Sequence, residues 1–263
     1  MSIKCLVCEN SEFLEFKKWN DYEIYICPKC DLNFCLKMVE KEVGGDSSPV
    51  DESGTLMMEE SFHKTKNLAK KIFNKRIIFY ENIMQRKCKS ILEVGCGPGT
   101  FFEQAKNKSI KWEGLEINPF WIDFGKNNQI PISNKKINRL NKKYDLITAH
   151  QVLEHVEEPR LFLKSIYERL NPGGIVHFEL PNNFSFTSSI RKISPNFSYD
   201  YGFIQPPMHL RAYSKKTLKT LFNLYNLKIV QIFTCSNNNA IWGQVRDYKI
   251  YQKLFYGFTG LVG

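Results

Sequence analysis

A glycine-rich segment, ILEVGCGPGT at residues 91–100, constrains the fold of this chain more than any other feature. An apolar run ends at Val94, glycines follow at positions 95, 97 and 99, and the next residues are compatible with a helix. Glycines permit a sharp turn and let the backbone approach a ligand closely. A strand, a glycine loop and a helix in this order are typical of parallel sheets that bind ligands at the carboxyl ends of their strands.

The segments after residue 90 alternate between strand-like and helix-like patterns. We predict strands at 90–94, 112–117, 144–149, 174–180 and 228–234, a weakly marked strand within 130–137, and helices at 99–108, 119–128, 158–170 and 214–226. Such alternation predicts an α/β fold, namely a Rossmann-like parallel seven-stranded sheet with helices on both faces.

The residues around the glycine loop indicate which ligand it holds. A dinucleotide fingerprint needs a glycine where this chain has Thr100, and the Gly-Lys-Ser/Thr sequence of a phosphate-binding loop does not follow. Glu116, at the end of the next predicted strand, is placed to accept hydrogen bonds from ribose hydroxyls. The pattern therefore favours a nucleoside ligand without a pyrophosphate.

Four segments within residues 90–182 are similar to the class I S-adenosylmethionine-dependent methyltransferases: LEVGCGPGTFFEQA, GLEINP, YDLITAHQVLEHVEEPRLFL and ERLNPGGIVHFELPN. The resemblance implies methyl transfer from S-adenosylmethionine, which leaves S-adenosylhomocysteine. It also implies a set of cofactor-binding residues, namely Glu93, Gly95, Cys96, Gly97, Gly99, Glu116, Ile117, His150 and Gln151. Where the family usually has an acidic residue near adenine, this chain has PISNKKINRL, so the adenine contacts are unassigned.

Four of the eight cysteines form two pairs, Cys5-x-x-Cys8 and Cys27-x-x-Cys30, with eighteen residues between the pairs. This spacing is typical of a four-thiolate zinc site in which two knuckles complete a tetrahedron around Zn²⁺. Because thiolates fill all four positions, we expect a structural rather than a catalytic ion. The chain is therefore predicted to have a zinc ribbon at residues 1–42, a linker at 43–60 and the methyltransferase domain at 61–263.

Methyl transfer to a hydroxyl or a protonated amine needs a base, and histidine is suited to that role near neutral pH. His155 in VLEHVEEP and His209 in QPPMHLRAYS are the two candidates. An alternative for His155 is that Glu154 and His155 organise the loop and the following helix. An insertion at about 182–213 interrupts the strand–helix alternation and is predicted to form the acceptor pocket. Its predicted lining residues are Tyr199, Tyr201, Arg191 and Arg211.

Two kinds of acceptor compete. Methyltransferases with a zinc ribbon and LEHV and ELPN segments resemble members that modify sugars, nucleotide-linked sugars and surface-glycan substituents, which implies a small-molecule acceptor and a role in polysaccharide biosynthesis. The alternative is a ribosomal RNA methyltransferase that uses the ribbon to bind nucleic acid. Enzymes that methylate exocyclic base amines usually have an Asn/Asp-Pro-Pro-aromatic segment where this chain has AHQVLEHV, which favours the small molecule. A non-catalytic domain that binds S-adenosylmethionine is a third alternative.

Composition and charge add weaker constraints. The net charge of +10 suits a polyanionic or phosphorylated partner, although the lysines are scattered along the chain. The sequence contains no apolar run long enough to span a membrane, and MSIKCLVCEN has no apolar core typical of a signal peptide, so we expect a cytoplasmic protein. The aromatic tail at 247–263 is expected to pack across a homodimer interface or back onto the sheet.

Overall fold

The computed structural model describes residues 3–12, 14–19, 22–35, 52–182, 204, 209–234 and 258–262. Their strands are β1 (Glu15–Trp19), β2 (Tyr22–Ile26), β3 (Asn33–Cys35), β4 (Ser90–Val94), β5 (Lys111–Leu115), β6 (Ile132–Ser133), β7 (Tyr144–His150), β8 (Leu170–Leu180), β9 (Arg211–Ala212), β10 (Ile229–Thr234) and β11 (Phe258–Val262). Their helices are α1 (Glu52–Met84), α2 (Phe102–Asn107), α3 (Pro119–Asn127), α4 (Pro159–Glu168) and α5 (Lys215–Asn223), with 3-10 turns at Ile137–Arg139 and Leu153–His155.

The larger sheet has the strand order β10-β11-β8-β7-β4-β5-β6. The strands from β8 to β6 are parallel to their neighbours, whereas β11 is antiparallel to both β8 and β10. Strand β4 lies between β5 and β7, so the chain moves to opposite sides of β4 in successive steps. This reversal opens a crevice at the carboxyl end of β4, where the glycine loop lies.

Helices cover both faces of this sheet. On one face, Ile72, Phe73 and Ile77 of α1 share a core with residues of β4, β5 and β7. On the other face, apolar residues of α4 and α5 pack against the sheet. Every residue of β7 is buried, as expected for a central parallel strand covered on both faces. Across the described ranges, no helix combines the length and the apolar character needed to span a membrane.

The predicted Rossmann-like α/β fold with a parallel sheet is confirmed, and two features differ from the prediction. The sheet is not parallel throughout, because β11 from the aromatic tail inserts in the antiparallel direction. A parallel neighbour requires a crossover connection, whereas an antiparallel strand needs only a return of the chain. In addition, α1 begins at Glu52, inside the segment predicted as a linker, and an acidic residue in a first turn favours a helix start.

A second, smaller sheet joins the N-terminal module to the main domain. Its strand order is β1-β2-β3-β9. The pairs β1–β2 and β2–β3 lie within the first 35 residues, but β9 comes from the main domain and pairs Phe34 with Arg211 and Asn33 with Ala212. The N-terminal module is therefore hydrogen-bonded into the main domain.

Candidate active site

The loop after β4 carries its three glycines in left-handed backbone conformations, with φ of +65° at Gly95, +52° at Gly97 and +68° at Gly99. A Cβ added at Gly95 would lie 2.5 Å from Val152 Cγ2, and one added at Gly99 would lie 2.8 Å from Ile130 Cγ2. Both the conformation and the available space therefore require glycine. The contact with Val152 also shows that the turn after β7 packs directly on this loop.

Glu116 ties the glycine loop to the carboxyl end of β5. Its Oε2 accepts a hydrogen bond from the backbone N–H of Gly97 at 2.7 Å, and its Oε1 accepts from Ile117 and Asn118 at 2.7 and 3.0 Å. A carboxylate offers about four acceptor positions, so one position on Oε2 is left for a ligand hydroxyl. The adjacent Ile117 is 63% exposed and lies at the same edge of the sheet.

The predicted cofactor residues Glu93 and Cys96 have buried side chains beneath the glycine loop. Glu93 is 1% exposed, and burial raises the pKa of its carboxyl group to about 8. Cys96 is fully buried and packs so tightly on Gly114 that a Cβ there would lie 2.5 Å from the Cys96 sulfur. These two residues thus shape the glycine loop from beneath.

His150 belongs to a buried cluster of polar side chains, which comprises Arg76, Tyr80, His150, His177 and Glu179. Arg76 Nη2 donates to Glu179 Oε1 at 2.5 Å, and Arg76 Nη1 lies 3.4 Å from His150 Nε2. The Tyr80 hydroxyl lies 2.6 Å from His177 Nδ1. Burial lowers the pKa of His177 well below its ordinary value, so this ring is neutral at pH 7.

The buried cluster connects α1 to the carboxyl ends of β7 and β8. The backbone N–H of Gln151, the residue after β7, donates to the Glu179 carbonyl at 2.7 Å and has a φ of +53°. A cavity between α1 and the sheet is lined by the polar side chains of Arg76, Glu93 and His150 together with aromatic and aliphatic residues. The predicted residues His150 and Gln151 therefore lie at the sheet edge next to the glycine loop.

The structure brings the two predicted base candidates together. The rings of His155 and His209 have centroids 4.9 Å apart and are inclined by 67°. His155 ends the 3-10 turn after β7, and both histidines are half-buried. Their backbones are joined through adjacent residues, because the N–H of Leu210, which follows His209, donates to the carbonyl of Glu154, which precedes His155, at 3.1 Å. Glu154, His155 and His209 also hold one potential metal-ligand atom each within 4.8 Å of one another.

Arg211, predicted to line the acceptor pocket, has a buried guanidinium that donates to backbone carbonyls. It is 5% exposed, and its guanidinium donates to the carbonyls of Cys35, Leu210 and Glu157 at 2.7, 2.9 and 3.2 Å. These contacts do not support a direct role in acceptor binding. The other predicted lining residues, Arg191, Tyr199 and Tyr201, lie outside the described residues, as does most of the predicted insertion.

The four predicted metal-binding cysteines lie together. The sulfur atoms of Cys5, Cys8, Cys27 and Cys30 are all within 4.8 Å of one another, and the Cys5–Cys30 and Cys8–Cys27 distances are both 3.5 Å. Ideal tetrahedral coordination with a Zn–S bond of about 2.3 Å requires sulfur atoms ~3.8 Å apart. The observed spacing is close to that value, and all four are free thiols.

The two cysteine pairs have the same local geometry. In each pair, the residue after the second cysteine, Glu9 or Asp31, has a positive φ and donates its N–H to the carbonyl of the first cysteine. A contact with Cys30 lowers the pKa of Cys5 to about 5, whereas burial raises the pKa of Cys8 to about 11. Four adjacent thiolates repel one another, so their joint ionisation requires a cation at the centre.

Sequence reasoning missed four members of the buried cluster, Arg76, Tyr80, His177 and Glu179. One signal for them was present, because His177 and Glu179 are ionisable residues two apart in the otherwise apolar run GIVHFEL. Residues two apart on a strand share one face, so the pair predicts a polar partner packed against that face. The partner residues on α1, about a hundred positions earlier, carry no such signal.

Comparison with known proteins gives a consistent result. The family described as "Methyltransferase domain" matches residues 61–232. A mitochondrial ubiquinone biosynthesis O-methyltransferase of Schizosaccharomyces pombe is 31% identical over 108 residues, which cover 36% of this chain and 39% of that protein. A ubiquinone biosynthesis O-methyltransferase of Coxiella burnetii is 28% identical over 149 residues, which cover 50% and 64% of the two chains. The matches thus span less than two thirds of either relative.

The fold is shared with solved structures. A SAM-dependent methyltransferase from Archaeoglobus fulgidus superposes with a TM-score of 0.53 at 20% identity, over 79% of this chain and 98% of that one. At this identity the likeness shows the common fold alone. The assignment to a family rests on the match over residues 61–232.

Proposed function

Because the chain belongs to the methyltransferase domain family and is a class I S-adenosylmethionine-dependent methyltransferase, we propose that it methylates a small molecule. The acceptor that we propose is a sugar, a nucleotide-linked sugar or a phosphorylated surface-glycan precursor. The observation that carries the proposal is the His155–His209 pair, since His155 ends the 3-10 turn that follows Val152, the residue packed on the glycine loop. Such a pair beside a methyl-donor site suits the deprotonation of a small acceptor.

The residues at the crevice fit S-adenosylmethionine. The backbone of Gly95, Gly97 and Gly99 leaves room for the methionine part, and the open position on Glu116 Oε2 accepts a ribose hydroxyl. Ile117 offers an exposed apolar surface at the same edge. When bound, the cofactor supplies a methyl group that is already activated by its sulfonium. The protein then has to align an acceptor in line with that group, which is a matter of positioning.

The acceptor also has to lose a proton. We propose that one imidazole of the His155–His209 pair takes it, and that the second ring holds the first in a fixed orientation through the contact at 4.9 Å. His155 lies three residues after Val152, which packs on Gly95, so the base is kept near the donor side of the crevice. Tyr199, Tyr201 and Arg191 remain our predicted acceptor-lining residues.

Two observations favour a small molecule over RNA. The two relatives described above are named for ubiquinone biosynthesis and O-methyl transfer, which supports a small acceptor and an oxygen nucleophile. In addition, the N-terminal module uses β3 to bind β9 and buries its knuckle residues against the main domain. That surface is therefore occupied by the protein itself and is not available to bind RNA.

We also propose that Cys5, Cys8, Cys27 and Cys30 hold a structural Zn²⁺. The support is the pair of equivalent knuckles, the sulfur spacing and the free thiols. Since four thiolates leave no open coordination position, the ion would stabilise the module without taking part in chemistry.

The direct test is methyl transfer from labelled S-adenosylmethionine to a panel of sugars, nucleotide-linked sugars, phenols and a single-stranded RNA, followed by mass spectrometry of the products. We expect a product from the sugar or nucleotide-sugar arm, and an at least ~100-fold lower rate with His155→Ala or His209→Ala. Products from RNA alone would contradict the acceptor class. Full turnover by both histidine variants would contradict the proposed base.

A further inference from the structure

We propose that Arg211 is a positioning residue that connects the four-cysteine module to the His155–His209 pair. The module is thus part of the architecture of the acceptor side of the site. This inference rests on the proposed function only in assigning the histidine pair to the reaction. The hydrogen bonds that carry it are independent of that assignment.

The backbone of Leu210 is hydrogen-bonded to two different parts of the protein. Its carbonyl accepts a hydrogen bond from the N–H of Cys35 at 3.0 Å, and its own N–H donates to the Glu154 carbonyl at 3.1 Å. Cys35 ends β3 of the N-terminal module, whereas Glu154 belongs to the 3-10 turn that ends at His155. One residue therefore joins the module to the turn that carries the first histidine, and it directly follows the second.

The guanidinium of Arg211 joins the same three segments, namely the end of β3, the backbone at Leu210 and the chain just after the 3-10 turn. Its Nη1 donates to the carbonyls of Cys35 and Leu210, and its Nη2 donates to the carbonyl of Glu157, two residues beyond His155. The planar fork of arginine can reach several carbonyls in fixed directions, which lysine cannot reproduce. The residue is buried, and these three donated bonds offset part of the cost of burying its charge.

A second contact joins the start of α5 to the cysteine pair at Cys27 and Cys30. Thr217 Oγ1 donates to the carbonyl of Cys30 at 2.6 Å, and Ser214, the N-cap of α5, forms a capping box with Thr217. The segment from His209 to Thr217 is consequently held to the module at β9 and again at the second knuckle. We expect that loss of order in the N-terminal module would break both attachments, the β3–β9 pairing and the Thr217–Cys30 hydrogen bond. The distance between the two histidine rings would then change.

The test uses the full chain with Arg211→Met, which keeps the apolar stem of the side chain but removes the donors, and Arg211→Lys, which keeps the charge. The readouts are the NMR pH titrations of the His155 and His209 rings, calorimetric binding of S-adenosylhomocysteine and the zinc content. For Arg211→Met we expect shifted titrations of both rings, cofactor affinity within about threefold of wild type and unchanged zinc. We expect Arg211→Lys to restore the titrations in part.

The matched control is Lys216→Met. Lys216 also reaches from the main domain to the module, with contacts to the Pro28 carbonyl and to Asp31, but it is exposed and has no contact with the turn at Glu154. Its removal should leave both titrations as in wild type. Unchanged titrations in Arg211→Met would overturn the proposal, and so would an equal shift in Lys216→Met.

A second measurement covers the case in which Arg211→Met fails to fold. Zinc is removed from the wild-type protein with a chelator under reducing conditions, and the same titrations and cofactor binding are recorded. Shifted titrations of His155 and His209 with cofactor binding retained support the coupling. Titrations that stay unchanged after zinc removal overturn it. Because neither readout depends on turnover, a wrong acceptor class would not produce either result.

Discussion

The indole Nε1 of Trp112 donates a hydrogen bond to Oε2 of Glu93 at 3.0 Å, and both side chains are buried beneath the glycine loop. Oε1 of Glu93 has no hydrogen-bond partner among the described residues. One donor is too little to keep a carboxylate ionised at this depth, so burial raises its pKa to about 8. Glu93 is therefore mainly neutral in the folded protein at pH 7.

We predict that this carboxyl group makes the protein less stable as the pH rises. Its folded pKa lies above the ordinary value of 4.5, so between these values the folded state binds more protons than the unfolded state. The stability that the protonated Glu93 carboxyl group contributes is fully present below pH 4.5 and is lost as the pH rises through 8. Between pH 7 and pH 8.5 the expected loss is about 1 kcal/mol, and Glu93→Gln should abolish it. Urea unfolding at both pH values measures the effect.

His177 affects the pH dependence of stability with the opposite sign, but at lower pH. The lowered pKa of His177 gives stability that is present above its ordinary pKa of 6.5 and is lost as the pH falls below it. Above pH 7 this contribution is nearly constant. Glu168→Gln, which changes an exposed carboxylate, serves as the control and should keep the wild-type slope. An unchanged slope in Glu93→Gln would show that Glu93 is ionised in the folded state.

A comparison of two glycines separates backbone strain from steric overlap. Gly95 and Gly173 have nearly equal φ values of +65° and +67°, but a Cβ at Gly95 meets Val152 Cγ2 at 2.5 Å whereas one at Gly173 meets nothing within 4 Å. We expect Gly173→Ala to cost about 1 kcal/mol from the left-handed conformation alone. Gly95→Ala should cost more and should weaken S-adenosylhomocysteine binding at least tenfold.

Unfolding curves and calorimetry on these two variants test the prediction. The double variant Gly95→Ala with Val152→Ala removes the atom that the new methyl group meets, so it should recover part of the difference in stability. Equal costs at Gly95 and Gly173 would mean that the loop relaxes away from Val152, and the steric argument would be wrong.

The features that could be predicted from the sequence are local ones. The glycine loop and the two cysteine pairs each lie within ten consecutive residues or repeat a short spacing, and their chemistry allows few alternatives. Strand β4 begins and ends where its apolar run predicts. Glu116 was identified because the residue at the end of the second strand has to lie beside the glycine loop in this fold.

The features that could not be predicted depend on contacts between distant residues. Strand β9 is two residues long, and only its pairing with β3 reveals it as a strand, for example the pair of Asn33 and Ala212, which are 179 positions apart in the sequence. The buried role of Arg211 follows from the same pairing. In the sequence, an arginine beside a predicted pocket and an arginine that holds three carbonyls look alike.

Tyr80 provides a test of the buried cluster. Its hydroxyl lies 2.6 Å from His177 Nδ1, and both residues are buried. Tyr80→Phe removes this hydrogen bond inside the protein, which we expect to lower the free energy of unfolding by about 1–2 kcal/mol. Tyr167→Phe, at a tyrosine that is 46% exposed, should change it by less than about 0.5 kcal/mol. Equal effects of the two substitutions would place the Tyr80 hydroxyl outside the energetics of the cluster.

Removal of one cysteine ligand tests the proposed zinc site. The wild-type protein should carry one zinc ion per chain, and Cys30→Ser should lose it, because serine does not replace a thiolate ligand. Since metal binding contributes to folding, the variant should also unfold at a temperature several degrees lower. Cys88→Ser is the control, because Cys88 is buried but lies outside the cluster. Native mass spectrometry measures the zinc content, and thermal unfolding measures the change in stability. A wild-type mass lower by two hydrogens per cysteine pair would instead show disulfides.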